Sequence, residues 1–399
     1  MPHVRNRIAI KRLEKKLKFS RVVSIQGARQ TGKSVLARNL FTNGYYVTFD
    51  KAQERDDASD RIGTYLEELR LRAGDKTIVI DEAQKVPALF DQIKSIVDEN
   101  QKPGQFLLLG STEFSIEAQI NESLTGRISR TKLFPLLLSE TVDNPKVVNS
   151  EFEISKLSQL RESPYTRGDL VRFLENGGFP AIFSIRDSHE RMQRLDEWVR
   201  LTCERDVLQL KKMKPDPELC LRILQILPKL EEPSAPSLAH HLKRSTKRIA
   251  TQLKALLQIF AIHRIDPHPL GTGKPLYFLI DPGLVGFMGG PFGARLESAL
   301  ITEFLAKQSY QALAQVRFSY YRTTKGARIP LLIETPDGKI IALKWVSAER
   351  LDRRELAIMH SFSKKAKREK FEVESVILCG VSRRSTADQV TILPWEFVF

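Results

Sequence analysis

Five short apolar runs punctuate the first third of the chain, at residues 21–27 (RVVSIQG), 45–50 (YYVTFD), 77–82 (TIVIDE), 105–111 (QFLLLGS) and 129–138 (SRTKLFPLLL). Val, Ile, Leu and Phe dominate them, and segments of helical length lie between. Runs this short and this apolar mark strands buried on both faces, so the pattern predicts an α/β fold built on a parallel sheet. From about residue 145 the texture turns helical, broken by the turn signal NGGFP at 176–180. KPDPE at 214–218 reads as a proline-bounded linker.

Beyond the linker the pattern changes again. Residues 219–230 have helical spacing, Pro233 and Pro236 interrupt it, 238–242 give a short second helix, and Ser245 caps a third over 245–260. Two apolar strands around a Gly/Pro turn follow over 261–281. That order predicts a winged helix-turn-helix. A last block mixes a helix over 296–307 with strands at 319–323, 329–334 and 340–346. The predicted divisions are a sheet core over 1–144, a helical segment over 145–214, the winged helix over 215–288 and a final α/β block over 289–399. No internal repeat is apparent.

Among the 399 residues, 63 Lys+Arg against 48 Asp+Glu leave a net charge of +15. The surplus favours polyanionic partners, nucleotides first and nucleic acid second. No run approaches the eighteen or so apolar residues of a membrane helix, so no membrane partner is expected. The first 21 residues are basic and lack the apolar core of a secretory signal; they read as a solvated helix leading into the first strand. Cys203, Cys220 and Cys379 lie too far apart for a thiolate metal cluster and are odd in number, which points to a reducing cytoplasm.

Candidate chemistry begins at Gly27-Ala28-Arg29-Gln30-Thr31-Gly32-Lys33-Ser34, eight positions that match a phosphate-binding P-loop between strand and helix. The glycines let backbone N–H groups curl around phosphates at a helix N-terminus. Lys33 would reach the β- and γ-phosphates of ATP, and the Ser34 hydroxyl would join the Mg²⁺ shell. The strand over 77–80 delivers Asp81 and Glu82 to the sheet's carboxyl edge, where ligands bind in open α/β folds. Asp81 would hold Mg²⁺ through water and Glu82 would act as general base. At the end of the next strand, Ser111 and Thr112 either sense the γ-phosphate or cap the helix expected over 113–120. Arg127 and Arg130 would stabilise transition-state charge, acting across a homo-oligomer interface, or else belong to a solvated basic turn.

The segments GARQTGKS, VIDEAQKVP, LLLGST, SLTGRISRTKLFPLLLSE, NGGFPAIF, CERDVLQL and KPLYFLIDPGLVG occur in the order seen in a prokaryotic family of AAA+-type ATPases, which the chain resembles over nearly its whole length. That family joins a P-loop core to a C-terminal region comprising a winged helix and a restriction-endonuclease-like end. The resemblance implies ATP binding and hydrolysis by Lys33, Ser34, Asp81 and Glu82. Arg205, within the family's Glu-Arg-Asp motif at 204–206, either faces nucleotide or holds a helix.

Two further regions bear on partners. Residues 234–264 carry six Lys/Arg and no acid, and Lys243, Arg244, Lys247 and Arg248 cluster at the start of the third helix. Such a turn suits phosphate contacts with DNA; the alternative is a packing module. In the nuclease-like end the resemblance leads one to expect an Asp on one strand and Glu-x-Lys on the next, but Pro330, Lys344 and Val346 stand there, and only Glu297 on the preceding helix and Glu334 near a turn remain. Without paired carboxylates no metal cage forms, so this block reads as a scaffold. The expected activity is ATP hydrolysis that acts on DNA or a nucleoprotein. A nucleotide-gated binding module with slow turnover is the alternative, and an active nuclease lacks its ligands.

Overall fold

The computed structural model describes residues 5–42, 44–114, 126–142, 157, 159–160, 162–310, 316–348 and 351–399. Strands β1 (Val22–Gln26), β2 (Tyr45–Thr48), β3 (Ile78–Asp81), β4 (Phe106–Gly110) and β5 (Ile128–Lys132) form one sheet in the order β2-β3-β4-β1-β5. Every neighbouring pair is parallel. Side chains alternate across a strand, and both faces are apolar here. Val22, Ile78, Ile80, Phe106 and Leu108 pack on one face with Leu66 and Leu69 of α4 (Ile62–Ala73) and Leu89 and Phe90 of α5 (Leu89–Glu99). Val23, Ile25, Val79, Leu107 and Leu109 pack on the other with Leu13 of α1 (Ala9–Phe19) and Leu36 of α2 (Lys33–Leu40). A short α3 (Ala52–Asp60) follows β2. Because the strands run the same way, Gln26, Thr48, Asp81 and Gly110 end along a single edge.

The chain continues through α6 (Leu138–Thr141), α7 (Arg167–Asn176), α8 (Pro180–Phe183) and α9 (Ser188–Leu201), the last running into a π-turn over Thr202–Asp206. Helices α10 (Pro217–Ile226), α11 (Ala235–Leu242) and α12 (Thr246–Gln258) precede an antiparallel hairpin of β6 (Ile262–Pro267) and β7 (Leu276–Leu279). One core unites Trp198 and Val199 with Ile223, Leu238, Ile249 and Leu256, and it takes in Ala28 from the loop after β1.

The last part comprises α13 (Pro282–Phe287), α14 (Phe292–Tyr310), β8 (Arg317–Arg322), β9 (Arg328–Glu334), β10 (Lys339–Trp345), α15 (Arg353–Arg368), β11 (Glu372–Cys379), β12 (Ser385–Ala387) and β13 (Val390–Pro394). The division expected at 288–289 is not a break in the sheet. Asp266 pairs with Ser319 and Pro267 with Tyr320, so the hairpin joins an eight-stranded sheet ordered β12-β13-β11-β10-β9-β8-β6-β7. An unpaired β6 would leave a row of donors and acceptors bare, and Ile265, Leu276 and Phe278 gain cover from Tyr320 and Ile301. The junction expected at 144–145, and all but the start of the helix expected over 113–120, lie outside the described residues.

Candidate functional site

The loop between β1 and α2 is shaped by close approach. A Cβ at Gly27 would sit 2.1 Å from the Leu133 carbonyl oxygen, so only glycine fits. Gly32 has a φ of 92° and precedes α2, whose N-terminus has no side-chain cap. Its first N–H groups are therefore left for an anion. Lys33 is buried, which pulls its pKa down, and its ammonium donates to the carbonyls of Gly27 and Ala28 at 2.9 Å each.

Asp81 ends β3 beside this loop. The Ser34 hydroxyl donates to Asp81 Oδ2 at 2.7 Å, and the Tyr46 hydroxyl donates to the same oxygen. Burial, then that bond, pushes the Tyr46 phenol up from its ordinary value. Glu82 follows with a φ of 55°, a left-handed conformation that L-residues seldom adopt and that recurs at functional sites. The Ser111 hydroxyl donates to Glu82 Oε2 at 2.8 Å; the Gln84 amide donates to that oxygen and to Ser111 Oγ at 3.2 Å. Ser111 thus meets the acid of the neighbouring strand.

Arg29 is held from outside the sheet. Its guanidinium donates to Asp206 Oδ2 at 2.8 Å and Oδ1 at 2.5 Å, and its carbonyl accepts from the Trp198 indole at 3.2 Å. Arg205, on the same π-turn, lies 3.8 Å from Asp50, which also meets Lys85 at 2.5 Å. Arg127 is not brought to this cluster. It precedes β5 at the sheet's opposite edge, since Val22 pairs with Ile128, and it is joined to Asp98 at 2.5 Å. Arg130 is exposed on β5, opposite Ser24. Sequence reasoning missed Tyr46, Gln84, Trp198 and Asp206. Gln84 and Asp206 lay inside quoted motifs, whereas nothing local marked Tyr46 or Trp198.

Lys243, Arg244 and Lys247 are exposed at the turn into α12, as is Arg248, which donates to Asp216 Oδ2 at 2.7 Å. In the last part Glu297 of α14 is joined to Arg328 of β9 at 2.6 Å, while Lys344 of β10 donates to the Arg328 carbonyl at 2.8 Å and meets Glu355 of α15 at 2.9 Å. Glu334 faces His268 at 3.8 Å.

Residues 19–142 match the family model of an AAA domain, and residues 167–293 match that of a domain of unknown function (DUF8612). Two uncharacterized proteins, of Mycobacterium bovis and Mycobacterium tuberculosis, are each 26% identical over 349 residues, covering 83% of this chain and 71% of theirs. Among solved structures, a Walker-type ATPase of Pyrococcus abyssi is 15% identical with a TM-score of 0.39, over 70% of this chain and 94% of that one. A signal transduction ATPase with numerous domains from Pyrococcus horikoshii, with a tetratricopeptide repeat sensor, is 15% identical with a TM-score of 0.26, over 75% and 45%. No helix among the described residues is long and apolar enough to cross a membrane. With loop 27–34, the acidic pair Asp81 and Glu82, and Ser111 along the carboxyl edge of a five-stranded parallel sheet, residues 19–142 form a domain that matches the AAA family model.

Proposed function

We propose that the protein binds ATP with Mg²⁺ and transfers the γ-phosphoryl group to water, using the cycle to act on DNA. The observation that carries the ATP reading is that Ser34 donates to Asp81 Oδ2 beside the loop, while the adjacent Glu82 donates its backbone N–H to Asp81 Oδ1 and holds its carboxylate against Ser111. The donor set fits Mg²⁺: Ser34 Oγ and Asp81 Oδ2 are hard oxygens 2.7 Å apart, and such an ion takes few protein ligands and keeps several waters. Bound there, Mg²⁺ would neutralise charge on the β- and γ-phosphate oxygens.

The chain's own groups divide the work. Lys33 exchanges the Gly27 and Ala28 carbonyls for phosphate oxygens, and the uncapped start of α2 supplies N–H donors. Ser111 and Gln84 hold one carboxylate oxygen of Glu82, leaving the other to take a proton from the attacking water. Three helices and a hairpin, read as a winged helix, present Lys243, Arg244, Lys247 and Arg248 to DNA phosphates. Around Glu297 the chain's own Arg328 and Lys344 supply the positive charge, which suits a scaffold and not a nuclease.

A gated binding module with slow turnover is favoured by a separate observation: Lys33 and Arg29 are both already satisfied by the chain itself. Phosphate release measured with and without duplex DNA, in the wild type, Lys33→Ala and Glu82→Gln, decides between these readings. We expect turnover raised by DNA, lost ATP binding in Lys33→Ala, and retained binding with roughly 10²- to 10⁴-fold slower release in Glu82→Gln. Tight ATP retention without release in the wild type would select the gated module. Wild-type turnover in Glu82→Gln would remove the base.

A further inference from the structure

Resting on the ATP reading, we infer that Arg7, a residue ahead of the matched ATPase domain, is the positioning residue of the phosphate loop. Its guanidinium is buried and makes three different hydrogen bonds. NH1 donates to the Thr31 carbonyl at 2.8 Å, NH2 to the Phe134 carbonyl at 2.7 Å, and Nε to Glu140 Oε2 at 3.1 Å. Glu140 is buried too, and its carboxylate also accepts from the backbone N–H of Leu137 at 3.0 Å and of Ile8 at 2.8 Å. The arginine is thus fixed before any nucleotide arrives, by a carboxylate that is itself fixed.

What it holds is the peptide between Thr31 and Gly32. A peptide unit is planar and trans, so its carbonyl and its N–H point in opposite directions. Tying the Thr31 oxygen to Arg7 turns the Gly32 N–H away from Arg7 and fixes the direction in which this donor is offered. The loop needs such a constraint. Gln30 has a φ of 63° and Gly32 one of 92°, so both neighbours of Thr31 are left-handed. A non-glycine residue in that region costs energy, and glycine lets the peptide turn over cheaply. The Thr31 hydroxyl bonds inward to the Ala28 carbonyl at 2.9 Å, and Trp198 and Asp206 hold Arg29, but neither acts on the 31–32 peptide. A Cβ built on Gly32 would lie 3.4 Å from Arg7 NH1, so a side chain there would press on the guanidinium. The same guanidinium binds the Phe134 carbonyl beyond β5, next to Leu133, whose oxygen crowds Gly27 at the loop's other end. Arg7 therefore ties both ends of the cradle to one rigid group.

An N–H offered to phosphate serves the ground state and the transition state alike, so its loss raises KM and leaves kcat nearly unchanged. Steady-state ATP hydrolysis by Arg7→Lys, which keeps charge but loses the three-way fork, should show KM raised roughly tenfold with kcat within about threefold. Arg7→Ala should recover part of its affinity when guanidinium ion is added at low millimolar concentration, whereas Lys33→Ala should not. A wild-type KM in folded Arg7→Lys overturns the assignment, as does an equal fall in kcat with KM unchanged. Should Arg7→Lys fail to fold, Glu140→Gln carries the test: KM raised by about threefold supports the role, and an unchanged KM overturns it. Wild-type protein that binds no ATP would sink the ATP reading itself, an outcome separate from either.

Discussion

Arg29 of the phosphate loop and Asp206 of the π-turn are joined by two side-by-side hydrogen bonds, although the residues stand far apart in sequence. Asp206 is buried, and its bond to Arg29 raises the guanidinium's already high pKa. Charge-assisted fork contacts of this kind are worth about 1.5–3 kcal/mol when little exposed. Asp206→Ala should therefore lower nucleotide-free stability by about that amount in chemical denaturation. Pairing it with Arg29→Ala in a double-mutant cycle should show the two losses to be non-additive. Additive losses would mean that the pair contributes nothing as a pair.

Ser111 bonds to Glu82 and not to the loop, so its removal should disturb the base and spare binding. Ser111→Ala is expected to cut kcat roughly tenfold while KM stays within about threefold. A rise in KM without loss of kcat would make Ser111 a phosphate contact instead.

Arg127 sits at the amino edge of the sheet, paired with Asp98. Arg127→Ala should hydrolyse ATP within about twofold of wild type at low and high protein concentration. A fall on the order of 10³-fold that appears only when subunits associate would assign it a role in trans.

If the turn into α12 meets DNA phosphates, binding should weaken steeply with salt and vary little with sequence. Lys247→Glu with Arg248→Glu should cut affinity for every duplex while basal ATP turnover stays unchanged. Fluorescence anisotropy at several salt concentrations measures the affinity, and phosphate release measures the turnover. Arg248 already meets Asp216, so Lys247 is expected to account for more of the loss.

Asp281 is buried and accepts from the Gly178 N–H at 2.6 Å and the Leu284 N–H at 2.9 Å, pinning the NGGFP turn. Burial pushes its carboxyl up to about 6 from an ordinary 3.8. The folded state then holds a proton that the unfolded state has released between those values. Stability from this group is complete below about pH 4 and is lost as pH rises through 6, by about 3 kcal/mol. Denaturation midpoints of wild type and Asp281→Asn should therefore shift in favour of the variant between pH 4 and pH 7. A difference that does not vary with pH would show Asp281 to titrate normally.

The loop residues 27–34 and the pair Asp81 and Glu82 were legible because their chemistry is local: consecutive residues, one strand, one turn. Arg127's place was not legible, because a motif says what precedes a strand but not which edge of the sheet that position reaches. In a parallel sheet every strand begins at the edge opposite the ligands, and Arg127 stands at such a beginning. Arg7, Trp198 and Asp206 reach the loop only through tertiary packing; Asp206 lies within the Glu-Arg-Asp motif, but nothing in the chain marks Arg7 or Trp198. The same holds for the hairpin. Its strands were legible, but the bond from β6 to β8 joins segments that composition had divided.

That bond has a mechanical consequence. Hydrogen bonds between strands resist shear, and β6 is held by β7 on one side and β8 on the other. The helix that bears Lys247 is packed against this hairpin, and Ala28 of the phosphate loop lies in the same core, so loop, basic helix and final sheet are joined by packing and strand pairing without a gap.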